Sequence, residues 1–537
     1  MSARSSKKLS RRDFVRASAV AAGTGIAAAW APAPAAFGAP AQKAAPAGGL
    51  SEAAIPAVAK ATYAMTTDIP ASITTPDKVK TRLGMLRFFD GFPDDATVQT
   101  VYDNLDFQRG VQAFLTALPA AQLHAIRTGI RTFGPDNQTV LITESLLDSH
   151  TLAGVGNTET VYNLLWLDAK DGPLVFELPP HVLGFINDFW GRYVCDLGNA
   201  GPDKGQGGKY LLLPPGYTGD VPEGYFVVRS RTYGNWLFFR GFLVGGDPEP
   251  AVENTKQHFR VYPLAAAADP PAMTFVNMSG AAFNMVPATD ASFFGEVVPD
   301  VQEEPLEAAD PETRGLLAAV GIQRGKPFAP DARMRGILAE AAAVGNATAR
   351  AIVFSTRDRS AYYYPNSAWK TLWIGGYDFS SPDGVLNLDA RTLYFYEACG
   401  VSPAVTVKMV GAGSQYAYAE RDAAGEYLDG GKSYRLHLPP DIPALTFWSV
   451  VVYDPQTRSL LQTDQRFPSV SSQKAGLIVN PDTSVDVYFG PEPPPGKEAN
   501  WVQTIPRKGW WTALRLYGPL EAWFDQTWRP GEIEMVR

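Results

Sequence analysis

The stretch formed by residues 434–454 constrains the fold most strongly, because it contains two apolar runs separated by three prolines. In residues 434–438, apolar side chains alternate with polar ones, which is typical of a half-buried strand. Residues 445–453 are bulky on both faces and rich in β-branched side chains, which indicates a strand that is covered on both sides. Since proline cannot donate to a β-ladder, we predict that residues 439–443 connect the two strands as a hairpin-like pair inside a β-sandwich.

The remaining chain favours a mainly β protein with flanking helices. Its 537 residues contain 44 prolines and 49 glycines spread along the whole length, which separate many short segments. We predict two jelly-roll-like β-sandwich domains, at residues 136–265 and 392–537, an N-terminal helical segment at 71–135 and a mixed helical connector at 266–391. Predicted strands in the first sandwich are 139–143, 160–167, 174–178, 191–197, 210–213, 224–229 and 235–243. The second adds 392–397, 405–410, 485–489 and 512–517 to the two runs above. Predicted helices span 75–89, 95–118, 119–130, 310–320 and 331–353.

The first 38 residues have the pattern of a twin-arginine export signal. Arg11 and Arg12 precede a weakly apolar alanine-rich run, and small residues follow at positions suited to a signal peptidase. We therefore expect a protein that is exported folded and is periplasmic or secreted, with residues 39–70 as a linker. Cleavage would leave 41 basic and 54 acidic residues, a net charge near −13. This acidity and the lack of a basic stripe argue against nucleic acid or an anionic membrane surface as partners. The alanine-rich run is too short and too weakly apolar for stable membrane insertion.

Neither the histidines nor the cysteines are spaced as metal or haem ligands. The five histidines are far apart, and Cys195 and Cys399 are the only cysteines. We therefore predict no cofactor and no metal. The two cysteines are compatible either with one long-range disulfide or with two buried thiols.

Two sets of motifs resemble a known pairing of domains. The second β region resembles domain of unknown function 1214, through Leu428-Asp429-Gly430, Tyr434, residues 436–439, Phe447-Trp448-Ser449, Tyr453-Asp454, Asn500-Trp501, residues 514–517 and Trp528-Arg529-Pro530. The first resembles domain of unknown function 1254, through Gly91-Phe92-Pro93, Tyr162-Asn163, residues 172–177 and residues 201–205. The resemblance implies tandem β-sandwiches in exported bacterial proteins that are often oligomeric, and it supplies no catalytic residues. Around residues 157–162 the first domain departs from the commoner pattern.

One constellation of polar residues is a candidate catalytic site. If Leu436, Leu514 and Leu516 face the core, strand alternation turns Arg435, His437, Arg515 and Tyr517 away from it. Neighbouring strands would then give a platform of His437, Arg515 and Tyr517, bordered by Trp448 or Trp511. Such a platform suits proton transfer or anion binding. A solvated outer face, or a buried polar network, has the same pattern.

Further ligand-binding candidates lie in the first β domain. Arg192 and Asp196 would form a pair on one strand face. Arg229, Arg231 and Arg240 lie on strands of the same domain, and their guanidinium groups suit recognition of a carboxylate. We expect a protein that binds a small or polymeric organic ligand in an inter-domain cleft. The alternatives are a metal-free hydrolase of esters, lipids or glycans with His437 as its acid/base, and an assembly protein of the cell envelope. A homo-oligomer is a further expectation for this chain.

Overall fold

The computed structural model describes Met65 and residues 67–536. The export signal predicted at 1–38 and most of the predicted linker lie outside the described residues. The chain divides into two compact units, Met1–Thr74 and Thr75–Arg537. The described part of the first unit contains one turn of 3-10 helix, Ala71–Ile73.

All strands and α-helices of the described residues belong to the second unit. The strands are β1 (Lys78–Thr81), β2 (Gly84–Phe89), β3 (Phe92–Pro93), β4 (Thr139–Ile142), β5 (Thr160–Asp168), β6 (Leu174–Leu178), β7 (Val182–Asp188), β8 (Tyr193–Gly198), β9 (Gly208–Leu213), β10 (Phe226–Arg229), β11 (Gly234–Phe242), β12 (Arg260–Pro263), β13 (Thr274–Asn277), β14 (Ser414–Ala419), β15 (Ser433–Leu438), β16 (Ala444–Tyr453), β17 (Ser469–Ser471), β18 (Val485–Gly490), β19 (Trp501–Gln503), β20 (Trp511–Pro519) and β21 (Ile533–Val536). The helices are α1 (Asp95–Arg131), α2 (Glu249–His258), α3 (Phe293–Glu303), α4 (Pro311–Ala319), α5 (Ala332–Phe354), α6 (Leu388–Glu397), α7 (Pro403–Thr406) and α8 (Glu521–Phe524).

The first β region is a sandwich of two sheets, in agreement with the predicted fold class. A six-stranded sheet has the order β13-β4-β5-β11-β7-β8, and a four-stranded sheet has the order β10-β9-β6-β12. Alternate residues of β5 and β11, such as Leu165 and Leu237, point into the core between these sheets. Three strands escaped the sequence analysis, namely β7, β12 and β13.

The second β region is also a sandwich, but its two most distinctive strands do not form the predicted hairpin. Its sheets have the orders β14-β20-β16-β17 and β19-β18-β15-β21, so β15 and β16 lie in opposite sheets. Each finds other partners: β15 pairs with β18 and β21, and β16 pairs with β17 and β20. The proline-rich connection therefore crosses from one sheet to the other, because two apolar faces are buried best by packing against each other.

The segment after Thr75 is not the helix that the sequence predicted at 75–89. It forms the antiparallel hairpin β1–β2, and Gly84 occupies the turn at φ +103°, which suits glycine. The helices predicted at 95–118 and 119–130 are one helix, α1, which runs through Pro119. Most residues around this proline are buried, so packing outweighs the roughly 3 kcal/mol that proline costs inside a helix.

Two strands that the sequence predicted at the start of the second sandwich do not form. Residues 392–397 belong to α6, which Asn387 caps by accepting a hydrogen bond from the backbone N–H of Ala390. Residues 405–410 follow or overlap the short helix α7. The run 392–397 is buried on every side, and periodicity alone does not separate such a run from a buried strand. The second sandwich therefore begins at β14, not near residue 392.

The predicted helices at 310–320 and 331–353 are confirmed as α4 and α5, each capped by the expected aspartate. Among the described helices, α5 alone is long and apolar enough to cross a membrane by length and composition. It packs along α1. Because Gly110 and Gly345 have no side chains, Ala341 packs closely against Gly110 and Phe114 packs closely against Gly345. Ala341 and Phe114 are fully buried at this contact.

A third core, between the two sandwiches, explains why the central strands are apolar on both faces. In β16, Val450 and Val452 point between the sheets of the second sandwich, whereas Phe447 and Val451 point into this third core. Trp236 of β11 enters it from the first sandwich. Helices α1, α3, α5 and α6 complete its walls. The two sandwiches therefore share one buried layer.

Candidate functional site

His437 lies on the outer face of the second sandwich. Leu436 and Leu438 of the same strand point inward, as alternation predicted. The His437 Nδ1 atom is 2.9 Å from an Asp486 carboxylate oxygen on β18, and 42% of the His437 side chain is exposed. Arg435 pairs with Glu534 of β21 at 3.0 Å. These are pairs between neighbouring strands at the protein surface.

Arg515 and Tyr517 point away from the same core in the opposite direction. They lie on β20, in the other sheet of the sandwich, and both are buried against the first sandwich. The predicted orientation of each side chain is thus correct, but the platform of His437, Arg515 and Tyr517 does not form. Trp448 points between the sheets and borders neither group.

The predicted pair of Arg192 and Asp196 does not form either. Arg192 precedes β8 and donates through Nε to Asp188 at 2.7 Å. Asp196 accepts hydrogen bonds from the Ser402 side chain and the Ala404 backbone, and burial nevertheless raises its pKa to about 6. A bulge in the pairing of β7 with β8 interrupts the alternation on which the prediction depended.

Arg240 and Arg515, which the sequence placed in different candidate sites, meet at one phenol. The Tyr517 hydroxyl accepts hydrogen bonds from Arg515 Nε at 3.1 Å and from Arg240 Nη1 at 3.4 Å. Asn157 Nδ2 donates to the same oxygen at 2.6 Å. Since Arg240 belongs to the first sandwich and Arg515 to the second, the cluster joins the two domains.

The two guanidinium groups line a cavity in the shared core. The volume open to the centres of water-sized molecules is about 80 Å³, room for several waters or a small organic group. Its walls are mostly apolar and aromatic, and come from α1, both sandwiches, α6 and the segment 153–156. The lining includes Leu147, Tyr162, Leu164, Phe185, Trp236, Phe238, Met278, Met285, Trp373, Tyr394, Tyr416 and Tyr418.

Arg515 is 3% exposed, and most of its donors have partners. Its Nη1 atom donates to the Val155 carbonyl at 2.9 Å, to the Gly156 carbonyl at 3.3 Å and to the Tyr453 hydroxyl at 2.8 Å. Its guanidinium carbon also lies 4.7 Å from the ring centroid of Tyr416. These contacts fix the guanidinium group in the cavity wall.

Arg240 is held mainly by aromatic rings. It is 6% exposed, its guanidinium carbon lies 5.4–5.9 Å from the ring centroids of Phe238, Tyr162 and Tyr517, and its buried Nε has no hydrogen-bond partner among the described residues. Within that same part of the chain, neither Arg240 nor Arg515 forms an ion pair with a carboxylate. Two buried cations therefore face one cavity without a protein anion to neutralise them.

Their positive potential acts on the phenol of Tyr416, which also lines the cavity. Burial by itself raises the pKa of Tyr416, but the charges of Arg240 and Arg515 outweigh burial and lower that pKa to about 8. Ser414 supports this by a hydrogen bond of 2.6 Å between the two hydroxyl oxygens. The cavity consequently favours negative charge, whether on Tyr416 or on a bound molecule.

The segment that carries the cavity wall is conformationally strained. Val155 has φ +50°, which is rare for a β-branched residue and marks a backbone that its surroundings enforce. The Gly156 carbonyl accepts a hydrogen bond from the Tyr453 hydroxyl at 2.7 Å, and the Thr158 and Ser469 hydroxyls are 2.7 Å apart. The second sandwich thus holds this loop of the first in place.

Sequence reasoning missed the phenols and the amide of the cluster. Strand β14 was absent from the predictions, although Tyr416 and Tyr418 alternate with small residues as a half-buried strand requires. Asn157 begins the stretch where the first domain departs from the commoner family pattern. An arginine in the middle of a doubly apolar strand, as in β11 and β20, was the available signal for the cavity.

Arg229 and Arg231 lie elsewhere, on a second cleft that also includes Arg192. The two cysteines are unpaired and half-buried, and Cys399 lines the cavity, where burial raises the pKa of its thiol to about 12.

Comparison with known proteins identifies two domains. Residues 137–263 match the family model "Protein of unknown function (DUF1254)", and residues 413–521 match "Protein of unknown function (DUF1214)". No curated protein matches the sequence significantly. The chain is similar to the VPA0106 protein from Vibrio parahaemolyticus, with 15% identity over 80% of this chain and 100% of that one and a TM-score of 0.49. It is also similar to an uncharacterized protein from Burkholderia cenocepacia, with 13% identity over 81% of this chain and 96% of that one and a TM-score of 0.37. The chain therefore carries the DUF1254 and DUF1214 domains in tandem, as its motifs indicated.

Proposed function

We propose that the cavity between the two sandwiches binds a small organic molecule that carries one acidic group. The observation behind this proposal is the pair of buried guanidinium groups, Arg240 and Arg515, which have no carboxylate partner among the described residues. Burying an unpaired charge is costly, so such groups persist where a ligand supplies the counter-charge. Planar guanidinium groups suit carboxylates, and Arg240 has an unused Nε donor.

The lining indicates the rest of the ligand. Aromatic and aliphatic side chains make up most of the wall, so the part of the molecule beyond the acidic group should be apolar. The volume of about 80 Å³ limits that part to about one small ring or a short chain. A polymer does not fit this cavity, which favours the small-molecule form of the expected function.

The hydrolase alternative receives no support from the proposed acid/base. His437 lies on the outer face of the far sheet and contacts Asp486, whereas the cavity lies beyond the opposite sheet. We also propose that the protein acts after export, in the periplasm or outside the cell, because of the export pattern at 1–38. It would do so without stable membrane insertion, because the alanine-rich run of that pattern is short and only weakly apolar.

Calorimetric titration with benzoate and with benzamide tests the proposal. The two have nearly the same shape, but only benzoate carries a charge, so benzoate should bind at least about tenfold more tightly. The Arg240→Met variant should lose this preference. Arg82→Met, at an exposed position outside the cavity, is the matched control and should keep it. Equal affinity for both compounds, or unchanged benzoate binding by Arg240→Met, would overturn the proposal.

A further inference from the structure

A second cleft, on the first sandwich, carries a different set of arginines. Arg192, Arg229, Arg231 and Arg391 line it, and it offers about 550 Å³ to the centres of water-sized molecules, several times more than the cavity. Arg229 and Arg231 lie at the end of β10 and just after it, and Arg391 lies on α6. None of its lining residues is shared with the cavity between the sandwiches.

Three of these arginines lack an acidic partner. Arg192 is paired with Asp188, but Arg229, Arg231 and Arg391 form no ion pair among the described residues. Arg391 is partly buried, and its buried Nε has no hydrogen-bond partner in that part of the chain. Burial lowers the pKa of Arg391, and the more distant Asp310 compensates only in part.

The carboxylates of the cleft are already engaged. Asp188 accepts Arg192 at 2.7 Å. Asp310 caps α4 by accepting hydrogen bonds from the backbone N–H groups of Glu312 and Thr313. Asp378 accepts from the Ser380 N–H at 3.3 Å. The unpaired guanidinium groups therefore remain available to a ligand.

The floor of the cleft is aromatic. Tyr193 and Tyr377 pack edge to face with ring centroids 5.2 Å apart, and Phe379 and Phe395 do so at 5.8 Å. An inorganic ion would leave this surface uncovered, whereas a flat apolar body would cover it and present its charges to the arginines at the rim.

We infer that this cleft binds a small organic dianion with an aromatic or otherwise flat apolar body, a site separate from the cavity. Two acidic groups would bridge the exposed pair, Arg229 and Arg231, and the partly buried Arg391. Because charge-assisted hydrogen bonds are stronger than neutral ones, loss of the exposed pair should weaken binding at least about tenfold.

Titration with benzene disulfonate, benzenesulfonate and sulfate tests the inference. The disulfonate should bind most tightly, because only it combines two charges with a ring. The double variant Arg229→Gln/Arg231→Gln should lose at least about tenfold in affinity. Arg82→Gln/Arg507→Gln removes the same charge from two exposed positions outside the cleft and should bind as the unchanged protein does.

Three results would overturn the inference: no binding of the disulfonate, sulfate binding as tight as disulfonate binding, or unchanged affinity in the cleft double variant. Arg391→Gln gives a second measurement and should also weaken binding. Arg240→Met should leave disulfonate affinity unchanged. If it instead abolishes binding while the cleft variant does not, the probe occupies the cavity, and the cleft inference fails while the proposed function stands.

Discussion

Replacement of Arg240 by methionine should separate ligand binding from stability. The Arg240 guanidinium is buried, donates a long hydrogen bond of 3.4 Å to the Tyr517 hydroxyl, and leaves its Nε without a partner among the described residues. An unsatisfied buried polar atom costs about 1–3 kcal/mol, and exchange of buried charges for well-packed apolar side chains is often stabilising by about 1–4 kcal/mol. Methionine has a similar length and adapts to irregular space.

We therefore expect the free energy of unfolding of the Arg240→Met variant to be about 1–2 kcal/mol higher than that of the unchanged protein. Urea denaturation followed by tryptophan fluorescence measures this, provided that the dependence on denaturant keeps the same slope. The same variant should lose benzoate binding. Greater stability with lost binding is the mark of a residue kept for its ligand.

Arg515→Met is the matched comparison and should behave in the opposite way. It removes hydrogen bonds to Val155, Gly156, Tyr453 and Tyr517, and leaves the Val155 carbonyl without this donor. We expect a loss of about 3 kcal/mol or more. If Arg240→Met instead lowered the free energy of unfolding by more than about 2 kcal/mol, Arg240 would be a structural residue like Arg515, contrary to this expectation.

Three further predictions concern ionisation, and a fourth concerns His437. Because the pKa of Tyr416 is lowered to about 8, its phenolate should compete with an acidic ligand, and benzoate affinity should fall as the pH rises above 8. Tyr416→Phe should remove that fall. A fall that persists in this variant would contradict the role given to Tyr416. Because the pKa of Tyr416 is lower in the folded protein, the unfolded chain binds more protons than the folded one between pH 8 and 10. Tyr416 should therefore make the free energy of unfolding rise with pH in that range. Comparison with Tyr416→Phe measures this contribution. Burial, opposed in part by Lys370, raises the pKa of Glu397 to about 8. The stability that this group contributes is present below its unfolded pKa near 4.5 and is lost as the pH rises toward 8. Glu397→Gln should therefore raise the melting temperature at pH 8 but not at pH 4, and equal shifts at both pH values would contradict this prediction. His437→Ala should change stability by less than about 1 kcal/mol and leave benzoate binding intact, because its pairing with Asp486 is partly exposed; lost binding would reopen the outer face as a site.

Local pattern decided side-chain direction more reliably than strand partnership. Alternation correctly turned Leu436 and Leu514 inward and His437 and Arg515 outward. Alternation could not show that β15 and β20 lie in opposite sheets. The outward-facing side chains of these two strands therefore point to opposite sides of the second sandwich. Likewise, a short and mostly apolar run such as 392–397 fits a strand or a buried helix, and only its surroundings in the folded protein selected the helix α6.

The amino-acid sequence by itself determined the tandem β architecture, the helices capped by Asp310 and Asp331, and the burial of β16 on both faces, because these depend on periodicity and on short-range capping. Only the tertiary structure brought Arg240 and Arg515 to one phenol, although they are far apart in the chain. Contacts between distant segments depend on how whole sheets pack, and that packing minimises exposed apolar area over the entire molecule rather than within any one stretch.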